Sequence, residues 1–239
     1  MKRLSIHLLV LLLSFLGWSC QSSKILSASF EGDAINNPPN KNLPGDPAGD
    51  VIEYVNALEP QLKVQNSPIA GAKALHFTNV AITNPPGHQR WLSFKGVGTD
   101  LTKTIWFTHT GQNTGASHDL LIDVSDGHGH LMARMRIKSN GEVGLAKNIT
   151  DDYTDVLGNI GSEVHTIIFT TSASTLKYNV TIFKTTGPAI TAENKPMITD
   201  NALSFNNPAH PMLSFQHSEQ SGSSHTYAIG SVTISKKKP

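Results

Sequence analysis

The stretch that decides the fold is residues 119–143, DLLIDVSDGHGHLMARMRIKSNGEV. Apolar side chains alternate with polar ones in both halves of this stretch, which is the period of a half-buried β-strand. The inward-facing members of the two series are Leu120, Ile122, Val124, Ala133, Met135 and Ile137. Asn140-Gly141 follows them and is typical of a hairpin turn, because both residues tolerate a positive φ. The stretch therefore predicts antiparallel strands joined by tight turns.

The same alternation continues on both sides of this stretch, and helical periodicity is hard to find after residue 24. Beyond a short alternating segment at residues 26–30, strands are predicted at residues 51–55, 62–64, 73–80, 90–95, 104–108, 119–124, 131–138, 164–171, 176–184, 197–205, 211–217 and 226–235. Residues 148–163 are expected to contain at most a helical turn. Many short strands at regular spacing favour a β-sandwich or a barrel. Since no shift of composition divides the chain, we expect one domain over residues 25–236.

Composition excludes several classes of function. The chain has 239 residues, a formal net charge of +1 and no long Lys/Arg block, so nucleic acid is not an expected partner. Charged residues make up only 15%, which argues against long solvated helices. A single Cys excludes an internal disulfide and a Cys-rich zinc site.

The N-terminus has the three-part plan of a secretory signal, with a basic start, an apolar run at residues 4–16 and a small-residue end. The segment resembles a bacterial lipoprotein signal of the Bacteroidetes type, in which Cys20 is lipidated and the peptide is cut before it. Ser19 fits the small residue of that motif, whereas Gly17 and Trp18 depart from its strict form. The resemblance implies a signal peptide at 1–19, a lipidated tether at 20–24 and an outer-membrane or cell-surface location. An ordinary secreted protein with an incidental Cys20 is the alternative.

Several segments resemble concanavalin A-like or laminin G-like jelly-roll sandwiches. They are residues 29–33 (SFEGD), 71–77 (GAKALHF), 135–137 (MRI) with Asn140-Gly141 and Val143, and 227–234 (YAIGSVTI). The resemblance covers most of residues 25–236 and implies an all-β, antiparallel jelly-roll β-sandwich. It also implies that the last strand returns beside the first. A basic tail at 237–239 would follow the domain.

The alternation also predicts a polar face that could bind a ligand. If consecutive strands are neighbours, this face carries Trp91, Trp106, Asp123, Arg134 and Arg136. Indole rings stack on sugar rings, and Asp and Arg offer directional hydrogen bonds to hydroxyls or carboxylates. Two other interpretations are open: each Trp could fill a second small core under a loop, and the arginines could pair with Asp123 across strands.

The loop acids Glu31, Asp33, Asp46 and Asp50 are candidates for a structural calcium site, because calcium prefers hard oxygen ligands. Solvated loop carboxylates are the alternative. Sandwiches of the resembled class often hold such an ion.

The leading hypothesis is a lipid-anchored envelope protein that acts as a non-catalytic glycan-binding or surface-accessory module. No Glu-x-Asp-x-x-Glu motif of sandwich glycosidases is present, and hydrolysis of glycosides needs two positioned carboxylates. A polysaccharide hydrolase or lyase is the second hypothesis, with an unfamiliar site near Asp119, Asp123, His128 and His130. A structural or protein-binding surface lipoprotein is the third.

Overall fold

The computed structural model describes residues 23–43, 47–54, 61–67, 69, 73–79, 91–114, 119–148, 155–199, 205, 208–217 and 225–239. Within these ranges the chain forms fifteen β-strands and no α-helix. The strands are β1 (Lys24–Ser29), β2 (Val51–Tyr54), β3 (Leu62–Asn66), β4 (Lys73–Asn79), β5 (Trp91–Lys95), β6 (Ile105–Asn113), β7 (Leu120–Ser125), β8 (Leu131–Ile137), β9 (Glu142–Leu145), β10 (Asp155–Asn159), β11 (His165–Ser172), β12 (Lys177–Lys184), β13 (Ile190–Pro196), β14 (Met212–His217) and β15 (His225–Ser235).

The strands form two antiparallel sheets of a jelly-roll sandwich. Sheet A has the order β13-β12-β11-β6-β15-β4-β3, and β1 also pairs with β15. Sheet B has the order β10-β9-β8-β7-β14-β5-β2. The long strand β15 is at the centre of sheet A, because β4 and β1 follow one another along one side of it while β6 runs along the other. The first and last strands of the sandwich are therefore neighbours.

The inward faces of both sheets meet in one hydrophobic core. Its largest fully buried side chains are aromatic, and Phe94 packs edge-to-face on Phe215 with ring centroids 5.8 Å apart. Burial of a Phe side chain contributes about 2–3 kcal/mol. The alternation of strand β6, where Ile105 and Phe107 are buried and their neighbours are not, shows how a period of two produces this core.

Most of the predicted pattern is confirmed. The segments around residues 119–124 and 131–138 are the neighbouring strands β7 and β8. Strands β11 and β12 form the predicted hairpin, with Ser172 opposite Lys177. Asn140-Gly141 turns the chain from β8 into β9, and Gly141 has a φ of 82°. The sequence was compatible with a sandwich or a barrel, and the structure is a sandwich.

Two predictions differ from the structure. Residues 148–163 contain strand β10 where a helical turn was expected. Strand β13 comes before the segment 197–205, in which a strand was predicted; its residues 197–199 are not in a strand, and 200–204 lie outside the described residues. Both β10 and β13 are outermost strands with one paired side. In β13 only Ala192 is buried. An edge strand of this kind lacks the apolar alternation on which the prediction depends.

Candidate functional site

Four of the five predicted ligand-binding residues lie on the outer face of sheet B. Trp91 is on β5, Asp123 on β7, and Arg134 and Arg136 on β8, all partly buried. Trp106 is on β6 and faces outward from sheet A. The expectation of one shared face is therefore wrong for Trp106. Trp106 lies on the other sheet because β6 pairs with β11 and β15, which are distant in sequence, and not with β5 or β7.

The arginines of sheet B form cross-strand ion pairs. Arg134 donates from Nε to Asp123 Oδ1 at 2.8 Å and from a terminal nitrogen to Oδ2 at 2.7 Å. Arg136 Nε donates to Asp119 Oδ2 at 2.6 Å. The bond with Asp123 raises the pKa of Arg134, although burial opposes the rise. Each guanidinium is fixed by its partner, so the face offers ordered polar groups with little net charge.

A row of residues crosses the outer face of sheet B from Trp91 to Arg136. The residues between them are Gln216 and Leu121, each opposite its neighbour in the register. Because strands are about 4.8 Å apart, three steps separate Trp91 from Arg136 by about 14 Å. A ligand that contacts both residues therefore has to be an extended chain.

A groove of about 480 Å³ opens at the end of the sandwich next to this row. It is formed where β6 ends, where β8 turns into β9, and where the chain enters β11. Its described lining residues are Gln112, Asn113, Thr114, Ser139, Asn140, Gly161 and Ser162. None of these side chains is charged, and most carry an amide or a hydroxyl. We call this feature the end groove.

Two amide oxygens in the wall of the end groove are buried and have no hydrogen-bond partner among the described residues. They are Asn113 Oδ1, on a side chain that is only 6% exposed, and Gln112 Oε1. Gln112 Nε2 donates to the Ser162 carbonyl at 2.9 Å, which orients the amide. A buried acceptor without a partner costs about 1–3 kcal/mol.

Asp119 links the end groove to Arg136, the last residue of the row on the outer face of sheet B. The Ser139 amide donates to Asp119 Oδ1 at 3.2 Å, while Oδ2 of the same carboxylate accepts from Arg136. The turn itself is held by the Asn140 side chain, which accepts from the Glu142 amide at 2.9 Å. One wall of the groove is thus a rigid hairpin tied to the outer face of sheet B.

A buried polar cluster supports the end groove from inside. The Tyr227 hydroxyl lies between His165 Nε2 at 2.7 Å and His109 Nε2 at 3.0 Å. His165 Nδ1 contacts the Glu163 carbonyl at 2.9 Å and must donate to it, so in the neutral ring Nε2 accepts from Tyr227. His109 Nε2 then donates to Tyr227, and its Nδ1 has no partner.

Burial lowers the pKa of both histidines and raises that of Tyr227, so all three groups are neutral near pH 7. For His165 the pKa falls to about 4. Gly111 makes room for this arrangement, since a Cβ there would collide with the Tyr227 hydroxyl. Tyr227 is opposite Asn113 in the register, which places the cluster directly beside the groove.

The predicted calcium ligands are only partly described. Lys73 Nζ donates to the main-chain carbonyls of Glu31 at 2.9 Å and Asp33 at 2.6 Å, and so brings a positive charge to this loop. Asp50 Oδ2 accepts from the Ser27 amide at 3.2 Å, and Asp46 lies outside the described residues. Among those residues no three His, Cys, Asp or Glu side chains are grouped so that they could hold a metal ion. Calcium at this loop stays a prediction.

The four residues of the alternative catalytic site do not come together. Asp119 lies at the groove end of β7 and Asp123 in its middle, both paired with arginine. His128 and His130 lie in the turn beyond the other end of β7. Asp126 binds that turn, accepting from His130 Nδ1 at 2.7 Å. Burial raises the pKa of Asp126, but its hydrogen bonds with His130 and the amide of His128 lower it overall.

Lipidation of Cys20 concerns a residue outside the described ranges. Within them, the structure contains no helix whose length and apolar character would let it cross a membrane.

The fold is shared with solved structures of low sequence identity. The binding domain of botulinum neurotoxin DC, solved in complex with rat synaptotagmin II, is 15% identical with a TM-score of 0.55; the alignment covers 92% of this chain and 50% of that one. A Lotus tetragonolobus seed lectin is 6% identical with a TM-score of 0.50, over 80% of this chain and 94% of the lectin. A sialidase is 11% identical with a TM-score of 0.50, over 74% of this chain and 17% of that one.

These matches show the fold alone, an antiparallel jelly-roll sandwich that is consistent with a concanavalin A-like fold. The chain spans about half the length of the neurotoxin structure and a smaller share of the sialidase. No protein-family model matches the sequence, and no curated protein matches it.

Sequence reasoning missed the end groove. Its described residues come from three separate parts of the chain, and all but Gly161 are ordinary polar residues near strand ends or in turns. The Asn140-Gly141 turn was the one signal that pointed to this region. Which loops meet there depends on the pairing of β6 with β11 and of β8 with β9.

Proposed function

We propose that this chain is a lipid-anchored, non-catalytic glycan-binding protein of a bacterial cell envelope. The observation that carries the proposal is the end groove, whose described lining is uncharged and rich in amide and hydroxyl side chains. A sugar presents many hydroxyls, which match such side chains as hydrogen-bond partners. A site of this kind discriminates strongly against a ligand that lacks the matching hydroxyl, because its polar groups then stay unpaired.

The sandwich fold supports the proposal by analogy only. A seed lectin has this fold, and so does botulinum neurotoxin type C, whose cell entry depends on interaction with two ganglioside molecules. We expect the end groove to bind one end of a glycan. The rest of the glycan would run over the outer face of sheet B, along Arg136 and Gln216, toward Trp91. There the Trp91 indole would stack on a sugar ring.

The groove is tested with the chain from Cys20 to Pro239 on a glycan array. Ser162 is exposed at the rim, so Ser162→Tyr should fill the groove and lower affinity at least tenfold without touching the core. Ser174→Tyr is the matched control, since Ser174 is equally exposed but lies in the turn between β11 and β12. Equal loss of binding in both variants would remove the groove from the proposal.

Ser139→Ala tests a hydroxyl of the groove directly. It should lower affinity about tenfold, as expected for one lost hydrogen bond. Its free energy of unfolding should change little, because the Ser139 side chain is exposed. Full affinity in this variant would show that the hydroxyl does not contact the ligand.

The competing functions give different results on the same sample. New reducing ends or unsaturated sugars in a bound polysaccharide would favour a hydrolase or lyase. No binding to any glycan on the array would leave the structural or protein-binding hypothesis.

The lipid anchor rests on Cys20 and the segment before it. Full-length protein from cells fed a labelled fatty acid should carry the label, and Cys20→Ser should lose both the label and the membrane fraction. An unlabelled Cys20 protein that is secreted intact would overturn this part of the proposal.

A further inference from the structure

The two ends of the described chain meet at one end of the sandwich. Lys24 is opposite Ser235 in the pairing of β1 with β15, and the Lys236 amide donates to the Ser23 carbonyl at 2.8 Å. Lys237 and Lys238 follow and are exposed. We call Lys24 and residues 236–238 the terminal lysine cluster.

Trp106 lies beside the terminal lysine cluster. It is opposite Ser235 in the register and faces outward from sheet A, partly buried. Two strand spacings separate it from Lys24, or about 10 Å. This position explains a tryptophan that the structure separates from the rest of the predicted ligand-binding face.

Lys103 adds a further positive charge near the cluster. It and Lys236 both act on Asp100, at the turn before β6. Hydrogen bonds from Thr102 lower the pKa of Asp100 first, and the charges of Lys103 and Lys236 lower it further. Five lysines therefore lie near this end of the sandwich.

The sequence puts Cys20 three residues before Ser23, so the two cannot be more than about 11 Å apart. That reach is close to a Debye length of about 8–10 Å at physiological ionic strength. An acyl chain on Cys20 would hold the terminal lysine cluster within electrostatic range of the lipid surface. The end groove lies at the other end of β6, about 24 Å from Trp106 along the strand.

We infer that the terminal lysine cluster and Trp106 form a docking surface for anionic phospholipid headgroups. The orientation this gives in the cell rests on the proposed lipid anchor. Lysines near an anionic membrane attract its headgroups, and tryptophan partitions to the membrane–water interface. The surface turns the end groove away from the membrane, where it is accessible to a glycan.

The test uses the chain from Cys20 with Cys20→Ser, which cannot be acylated and keeps all fifteen described strands. Its partitioning is measured on phosphatidylglycerol-containing vesicles and on phosphatidylcholine vesicles. We expect binding to the anionic vesicles only. The triple variant K236Q/K237Q/K238Q should bind about 100-fold more weakly, since each lysine near the surface contributes about fivefold.

The matched control is K63Q/K138Q/K184Q, which changes the charge equally at the groove end of the sandwich. It should keep anionic binding within about threefold of the parent chain. Equal weakening of the two triple variants would overturn the inference, as would equal binding to both types of vesicle.

Tryptophan fluorescence locates the contact. The chain from Cys20 has two tryptophans, so Trp91→Phe leaves Trp106 as the single reporter and Trp106→Phe leaves Trp91. The emission of Trp106 should shift to the blue on anionic vesicles, and that of Trp91 should not. An unshifted Trp106 would overturn its part in the surface. Because this chain carries no lipid and no glycan is present, failure here is distinct from failure of the anchor or of the glycan site.

Discussion

Acidification from pH 7 to pH 4 is expected to destabilise the fold through the buried cluster behind the end groove. An unfolded histidine takes up its proton near pH 6.5, whereas burial lowers the pKa of folded His165 to about 4. Between these values the unfolded state binds more protons than the folded state. The free energy of unfolding therefore falls as the pH falls.

The decrease in the free energy of unfolding depends on the difference between the unfolded and folded pKa values. For His165 the decrease is about 3 kcal/mol, since each pKa unit corresponds to about 1.4 kcal/mol. His109 adds to it, because burial and then the neighbouring His165 hold its pKa well below the usual range. Protonated His109 would carry an N–H at Nδ1, which has no hydrogen-bond partner among the described residues. Against a typical total of about 5–15 kcal/mol, this loss is large.

Urea unfolding at pH 7, 6, 5 and 4 measures the effect. The free energy of unfolding should be nearly flat above pH 6.5 and should fall steeply below it. His165→Gln, which cannot take up a proton, should flatten that slope even if it lowers stability at pH 7. His128→Gln is the control, since the His128 side chain is exposed. An unchanged slope in His165→Gln would refute the reasoning.

Three further outcomes follow from the packing. Gly111→Ala places a Cβ 2.6 Å from Tyr227 Cζ and should lower the free energy of unfolding by about 1–3 kcal/mol; an unshifted urea midpoint would contradict the fit. Tyr227→Phe removes the hydroxyl between two buried imidazoles and should cost about 1–3 kcal/mol by thermal unfolding. Arg134→Ala leaves Asp123 without its bidentate partner. It should therefore lower the free energy of unfolding more than the double variant Arg134→Ala/Asp123→Ala does, and a double-mutant cycle measures this difference.

The strands were largely predictable because alternation is a local property. A strand with one face in the core needs an apolar side chain at every second position, and β7, β8, β11 and β12 show this clearly. The outermost strands β10 and β13 were missed for the same reason, since little of either is buried.

The site was predictable only in part. Trp91, Asp123, Arg134 and Arg136 share a face as expected, because their strands are members of one sheet. The pairing of Asp123 with Arg134 was one of two open interpretations, and the structure contains that ion pair. The end groove and the histidine–tyrosine cluster were not predicted, because His109, His165 and Tyr227 are each isolated in the sequence.

Short-range pattern was enough for the all-β class, the turn at Asn140-Gly141 and the expectation of a lipidated Cys20, since each depends on residues adjacent in the chain. Long-range pairing was needed to separate Trp106 from Trp91. The two are fifteen positions apart, yet β5 and β6 enter different sheets. Sheet membership depends on hydrogen bonds between segments more than a hundred residues apart, such as β6 with β15. No local periodicity contains that information.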